Sequence, residues 1–132
     1  MSRKFTILSL LLPVIVSLLV GCAPKPAGPL EVTVTLTDFN VAASAASVPV
    51  NTPIKFVVTN KGAVEHELIL QPRGADDQPL EANGRESEVE DIEPGETKAL
   101  EWTVTAAGDY QLACYEPGHF EQGMHTDFTV TK

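Results

Sequence analysis

Residues 109–130 read DYQLACYEPGHFEQGMHTDFTV and contain two short alternating segments separated by a turn-rich loop. Before the loop, Tyr110 and Leu112 alternate with polar residues, and after the loop Phe128 and Val130 do the same. A period of two is typical of strands that bury one face, and Gly and Pro mark the turns between such strands. The stretch therefore predicts two strands that lead into and out of the loop.

The same period recurs along the rest of the chain. It is found over residues 31–37, 54–59, 65–70 and 99–105, with Gly, Pro and Asn in the gaps between segments. No window shows a sustained helical period. Many short strands separated by turn residues predict an all-β fold, an antiparallel β-sandwich.

Length and charge narrow the classes of function. The 132 residues suffice for one folded domain, and the formal net charge is −9. Nucleic-acid binding needs clustered cations that displace counterions from phosphate, so we expect no nucleic-acid partner. Nine acidic residues lie within residues 71–96, opposed there only by Arg73 and Arg85. This segment predicts a solvated loop with room for a short strand or helical turn at no assigned position, and docking of a basic redox partner is its second interpretation.

The N-terminal residues have the pattern of an export signal. Arg3 and Lys4 precede an apolar run over residues 5–20, shorter than the about 20 apolar residues that cross a bilayer. Residues 19–22, LVGC, resemble the bacterial lipobox, in which the cysteine is acylated and becomes the new N-terminus. We therefore predict lipidation of Cys22. An uncleaved anchor and an ordinary secretory signal are the alternatives.

These patterns divide the chain into three parts. Residues 1–21 are predicted to be a lipoprotein signal peptide, and residues 22–29 to be a lipidated cysteine with a Pro-rich tether. Three prolines within seven residues favour an extended linker. Residues 30–132 are predicted to be the folded domain, located outside the cytoplasm under all three interpretations of the N-terminus.

Donor side chains for a soft or borderline metal are concentrated in the quoted loop. The predicted mature chain keeps one free thiol, Cys114, one thioether, Met124, and three imidazoles, His66, His119 and His125. Four of these five donors fall within twelve consecutive residues. A single thiol outside the cytoplasm lacks a disulfide partner, so it is either buried and inert or employed. The neighbouring imidazole and thioether favour the second interpretation.

Strand parity predicts the direction of each donor. Cys114, His66 and Met124 share the parity of the apolar residues in their strands, so we expect all three to point inward at strand ends. His119 lies in the loop after a Pro-Gly pair, and the turn that this pair predicts would bring its ring back toward the thiol. His125 has the opposite parity and is expected to face solvent.

The set of donor types indicates copper. A thiolate, two imidazoles and a weak thioether suit copper, because thiolate binds Cu(II) strongly, thioether tolerates Cu(I), and imidazole serves both states. Zinc would prefer a tetrahedral set without thioether. Each residue taken alone is better explained by packing or hydrogen bonding, but the joint pattern predicts a copper site.

The spacing Cys114-x4-His119-x4-Met124, with Pro-Gly before the histidine, resembles the copper-ligand loop of the cupredoxin family, type 1 blue copper proteins. Its length is most similar to that in rusticyanin and the auracyanins and one residue longer than in azurin. The resemblance extends over nearly the whole domain: residues 38–39, 56–60, 94–97, 102–103 and 108–110. It implies a Greek-key β-sandwich with one mononuclear copper per chain, ligated by Cys114, His66, His119 and an axial Met124.

Two positions next to the implied ligands, Glu67 and Glu116, differ from what many cupredoxins or a proline-containing loop would have. Many cupredoxins have an asparagine after the upstream histidine that braces the loop, whereas this chain has Glu67, so the brace is expected to be lost or replaced. Two residues past Cys114 stands Glu116 and not proline, which leaves a backbone N–H for the thiolate. Such a hydrogen bond would favour Cu(II) and lower the reduction potential.

Together with the lipobox-like N-terminus, the resemblance predicts an extracytoplasmic, lipid-anchored electron carrier, with the edge of His119 beside Phe120 as the exit for the electron. A cytochrome or oxidase with a basic docking surface and the membrane are the expected partners. We expect no enzyme activity, because no pair of carboxylates suggests a substrate and a nucleophilic Cys114 would leave Met124 without a role. A copper carrier or copper sensor is the main alternative, and a β-sandwich adhesion module with vestigial ligands is a third.

Overall fold

The computed structural model describes residues 28–132, which form strands, turns and one short 3-10 helix. The strands are β1 Leu30–Thr37, β2 Asn40–Ala43, β3 Ser47–Pro49, β4 Pro53–Asn60, β5 His66–Pro72, β6 Glu81–Ala82, β7 Arg85–Glu86, β8 Glu88–Ile92, β9 Thr97–Thr103, β10 Gly108–Ala113 and β11 His125–Thr131. The 3-10 helix is Phe120–Gln122. Within the described range no helix is both long and apolar enough to span a bilayer. The predicted signal peptide and Cys22 lie outside the described residues.

Two sheets pack face to face. One has the strand order β2-β1-β4-β9, the other has the order β3-β11-β10-β5-β8, and β6 and β7 form a separate hairpin. The predicted all-β sandwich is confirmed, with one refinement: β1 pairs with β4 and β3 with β11 in parallel, so both sheets are mixed. Parallel neighbours need a long connection. Between β1 and β4 the chain provides one by crossing to the other sheet through β3.

Alternating side chains build the core between the sheets. On β1 the residues Val32 and Val34 are fully buried, whereas Thr33 between them is exposed. Across the sandwich, Phe56 of β4 meets Phe128 of β11 edge to face, with ring centroids 5.5 Å apart. The alternation read from the sequence therefore identified the core faces of the long strands.

The segment over residues 71–96 differs from the solvated loop predicted for it. It contains the β6–β7 hairpin and β8, and β8 pairs with β5. Buried Ser87 precedes β8, where its hydroxyl donates to the carbonyl of Leu70 and accepts the N–H of Leu80. The sequence did not predict β8 because acidic residues dominate its composition. Its pairing with β5 depends on backbone groups, which composition does not report.

The same segment also covers the outer face of the five-stranded sheet. Gln111 alternates with the core residues Tyr110 and Leu112 and so lies on the opposite face of β10, yet it is only 3% exposed. Fully buried Gln71 donates to the carbonyl of Ala75 (3.0 Å) and accepts the N–H of Gln78 (2.8 Å). The chain after β5 therefore folds back over the outer face of this sheet. As a result β5, which begins with His66, and β10, which leads into Cys114, are buried on both faces.

Candidate metal centre

His66 is positioned by a tightly bonded loop between β4 and β5. It is the first residue of β5 and is fully buried. Buried Asn60, at the end of β4, donates to the carbonyls of Val64 (2.7 Å) and Ile92 (2.8 Å) and accepts the N–H of Gly62 (2.8 Å). One amide side chain therefore fixes the loop that precedes the histidine. The sequence indicated only a turn residue at this position.

A turn over residues 116–119 positions His119. The N–H of His119 donates to the carbonyl of Glu116 (2.8 Å), with Pro117 second and Gly118 third in the turn. Gly118 has a φ of +80°, the left-handed value that the third position of a type II turn requires. The predicted turn is present, and it places the His119 ring against the thiol of Cys114.

The backbone closes the loop over residues 114–124 on itself. The N–H of Cys114 donates to the carbonyl of Met124, and the N–H of Met124 donates to the carbonyl of His119, both at 3.1 Å. Gly123 caps the short 3-10 helix with a φ of +94°. These bonds hold the cysteine, histidine and methionine of the loop at one end of the sandwich.

Three donor atoms converge at this end. Sγ of Cys114 lies 3.5 Å from Nδ1 of His119 and 4.0 Å from Nδ1 of His66, and the two Nδ1 atoms are 3.2 Å apart. All three atoms lie within 4.8 Å of one another. Two nitrogens bound to one ion at about 2.0 Å would themselves be about 3.4 Å apart, so the spacing fits a shared metal ion.

The fourth predicted donor belongs to the same region. Met124 is fully buried in the cluster of core side chains that also contains Cys114. Cys114 and His66 are fully buried too, whereas His119 is half-buried. The inward directions predicted for Cys114, His66 and Met124 are therefore confirmed, and the four residues form a His-Cys-His-Met arrangement.

Comparison with known proteins identifies the family. A family model described as a cupredoxin-like domain matches residues 10–130. The chain belongs to the cupredoxin-like family. The copper-resistant cuproprotein CopI of Rubrivivax gelatinosus is 32% identical over 82 residues, which are 54% of this chain and 47% of that protein. The chain thus spans about half the length of this relative.

Solved structures with the same fold include auracyanin B and rusticyanin. Auracyanin B superposes with a TM-score of 0.66 at 23% identity, over 82% of this chain and 94% of its own. Rusticyanin superposes with a TM-score of 0.61 at 16% identity, over 80% of this chain and 79% of its own. The predicted cupredoxin β-sandwich is therefore confirmed.

The thiol of this cupredoxin is held in its neutral form by its surroundings. Burial raises the pKa of Cys114 to about 11, although hydrogen bonds from the backbone N–H groups of Glu67 and Glu116 oppose the rise. The N–H of Glu116 is the group that the absence of proline was predicted to leave available to the sulfur. A bound metal ion would have to displace the thiol proton, as is usual for cysteine ligands.

The ring of His66 meets a carboxylate on the side away from the sulfur. Its Nε2 is buried and has no hydrogen-bond partner within residues 28–132, and Oδ1 of Asp38 lies 3.4 Å away. Burial lowers the pKa of His66, and His119 lowers it further, while Asp38 opposes both effects. A neutral ring with its proton on Nε2, facing Asp38, leaves Nδ1 free to bind metal, which is the usual arrangement of a metal-bound histidine.

The brace near the sulfur is replaced and not lost. Oε1 of Glu67 accepts the backbone N–H of Tyr115, the residue after Cys114, at 2.6 Å. Burial raises the pKa of Glu67, and the bond from Tyr115 opposes this rise. A carboxylate thus links β5 to the start of the ligand loop at the position where the family often has an asparagine.

Phe39 covers part of His119, a contact that the sequence did not reveal. Its ring stands edge to face with the imidazole of His119, with centroids 5.5 Å apart and planes at 87°. Phe39 has a φ of +64°, which is costly for a bulky residue, and it is 40% exposed. The Phe39 ring, carried by a backbone in the left-handed region, thus covers part of the half-buried His119 ring.

Proposed function

We propose that this cupredoxin binds one copper ion through His66, Cys114, His119 and Met124 and carries single electrons. The observation that carries the proposal is the convergence of one sulfur and two imidazole nitrogens within 4.8 Å, beside a buried thioether. Bound copper would supply a one-electron change between Cu(II) and Cu(I) at these donors.

The protein's own contribution is to keep the donors in place. Backbone bonds fix the loop over residues 114–124, and Asn60 fixes the loop before His66. Donors that are held in position need little rearrangement when the charge at the site changes. The half-buried ring of His119 is the donor nearest solvent, so its edge is the proposed path for the electron. We propose no catalytic turnover.

The setting and partners follow from charge and the N-terminal pattern. We propose that the protein is anchored by lipid at Cys22 outside the cytoplasm and meets a cytochrome-type or oxidase-type partner with a basic docking surface. The net charge of −9 supports a basic partner, since opposite charges steer the encounter.

Copper handling is the second candidate function. The relative from Rubrivivax gelatinosus is named a copper-resistant cuproprotein, which favours a carrier or sensor that passes copper on. The two functions differ in the fate of Cu(I). An electron carrier keeps Cu(I) in the presence of a competing chelator and exchanges electrons rapidly, whereas a copper carrier releases Cu(I) to an acceptor.

Copper loading of two variants tests the site. Cys114→Ser should abolish the sulfur-to-copper charge-transfer colour in the visible spectrum while circular dichroism still shows the β fold, because that transition requires sulfur. Met124→Leu should keep the colour and raise the reduction potential, because it removes only a weak donor. A wild-type protein that retains no copper, or a Cys114→Ser variant that stays coloured, would refute the assignment.

A further inference from the structure

Three ring side chains directly follow the three donors of the ligand loop. Tyr115 follows Cys114, Phe120 follows His119 and His125 follows Met124. Because the donors recur every five residues, the rings recur with the same spacing. The sequence presents these rings as unrelated residues, and the fold brings them together on the outside of the loop.

The three rings form one continuous stack. The rings of Tyr115 and Phe120 are nearly parallel, with centroids 4.5 Å apart and planes at 9°. Phe120 stacks in turn on His125, with centroids 4.7 Å apart and planes at 28°. Phe120 thus stacks on two other rings, one from each end of the loop. Its neighbour in sequence, His119, is the donor with the greatest exposure of the three in the loop.

Tyr115 anchors one end of the stack to the sheet. Its hydroxyl accepts from Nε2 of Gln71 (2.8 Å) and donates to the carbonyl of Ala75 (3.0 Å). Its backbone N–H donates to Oε1 of Glu67 (2.6 Å). The first ring is therefore fixed to β5 and to the covering segment that follows β5.

His125 anchors the other end through the backbone. It is the first residue of β11 and stands opposite Ala113, the last residue of β10. The ring itself is exposed on the solvent side, as its parity predicted. The stack therefore extends from Tyr115, which is bonded to Gln71 and Ala75, to His125 at the start of β11.

Backbone hydrogen bonds close the loop over residues 114–124, and the ring stack adds side-chain contacts to them. None of residues 115–123 is buried, and the 3-10 helix within it has no side-chain cap. Stacked aromatic pairs are stabilising beyond the area that they bury. The stack therefore connects, through side chains, the three segments that carry Cys114, His119 and Met124.

We propose that Tyr115, Phe120 and His125 act as positioning residues, whose stack holds the ligand loop closed over Cys114 before metal binds. The inference rests on the proposed function, because the loop would be held closed in order to bind copper. Whether the loop is closed can nevertheless be measured in the copper-free protein. Breaking the stack should let the loop open while the sandwich remains folded.

The test is thiol labelling of the copper-free full-length protein. Labelling is read by mass spectrometry from the peptide that contains Cys114, so that Cys22 does not contribute. Phe120→Leu should raise the labelling rate about tenfold, which corresponds to about 1.4 kcal/mol of loop closure. His125→Ala should raise the rate by a smaller factor. Phe120→Tyr and His125→Phe, which keep the rings, should stay within about twofold of wild type.

A remote core variant separates loop opening from general destabilisation. Ile54→Val lowers stability at the end of β4 far from Asn60 and should leave the labelling rate of Cys114 nearly unchanged. The two variants are compared under conditions in which their unfolding midpoints are equal. If Cys114 is then labelled no faster in Phe120→Leu than in Ile54→Val, the positioning role is refuted.

Copper readouts test the role toward the metal separately. In copper-loaded protein, Phe120→Leu should change the shape of the charge-transfer spectrum and the reduction potential, and should lose copper faster to a chelator. Phe120→Tyr should restore all three properties. Unchanged spectra and potentials in Phe120→Leu would refute positioning of the ligands. Failure of wild type to bind copper would refute the proposed function and leave the labelling result intact.

Discussion

Among the described glycines, Gly62 is the one at which an added Cβ would come closest to neighbouring atoms. A Cβ there would lie 2.8 Å from Nε2 of His66 and would also overlap the carboxylate of Asp38. That carboxylate accepts the N–H of Ala63 (3.0 Å), so it has little freedom to move aside. The missing side chain therefore makes room for the contact between Asp38 and the buried histidine ring.

Gly62→Ala should damage both stability and copper retention. Overpacking at this position should lower the free energy of unfolding by about 1–3 kcal/mol, and displacement of His66 should speed copper loss. Gly108→Ala is the matched control, because its added Cβ would meet only an ordinary contact at 3.7 Å. Urea unfolding of the copper-free protein and transfer of copper to a chelator measure the two effects. Equal behaviour of the two variants would contradict this account.

At the scale of elements, the acidic strand β8 makes the stability of the fold depend on pH through Glu88. Burial raises the pKa of Glu88 to about 7, and the neighbouring Glu86 and Glu90 raise it as well. The folded protein thus holds the proton more tightly than the unfolded chain, whose carboxyl titrates at the ordinary value. The resulting stabilisation is present below pH 4.5 and is lost as the pH rises through about 7.

Glu88→Gln should remove this pH dependence. We expect the thermal midpoint of the copper-free variant to fall less than that of wild type between pH 4.5 and pH 7. Glu31→Gln, at an exposed position on β1, should follow the wild-type profile and serves as the control. If the thermal midpoints of wild type and Glu88→Gln change with pH in the same way, the raised pKa of Glu88 does not contribute to the pH dependence of stability.

At the scale of the whole molecule, the two sheets are coupled through their aromatic core. Phe56 and Phe128 are both fully buried and meet across the sandwich. Phe56→Leu and Phe128→Leu should each destabilise the fold. Their effects should be non-additive by about 0.5–1.5 kcal/mol, which is typical of an edge-to-face pair. A double-mutant cycle in urea measures this coupling, and strict additivity would contradict it.

The long strands and the donor residues could be predicted because their signals are local. Alternation identified β1, β4, β5, β9, β10 and β11, since the side chains of a strand point to its two faces in turn. Residue type and spacing identified Cys114, His119 and Met124 within one loop. The parity of His66 placed it on the same inner face.

The sequence alone therefore determined the β-sandwich, its core faces and the residues of the His-Cys-His-Met arrangement, because each of these follows from short-range periodicity and residue chemistry. Only the tertiary structure decided the parallel pairs, the Asp38 and Phe39 contacts and the stack over the loop. Asp38 and His66, for example, are separated by 28 positions, as their residue numbers show. Contacts of this kind depend on which strands become neighbours, and this is set by packing of the two sheets and not by any local pattern.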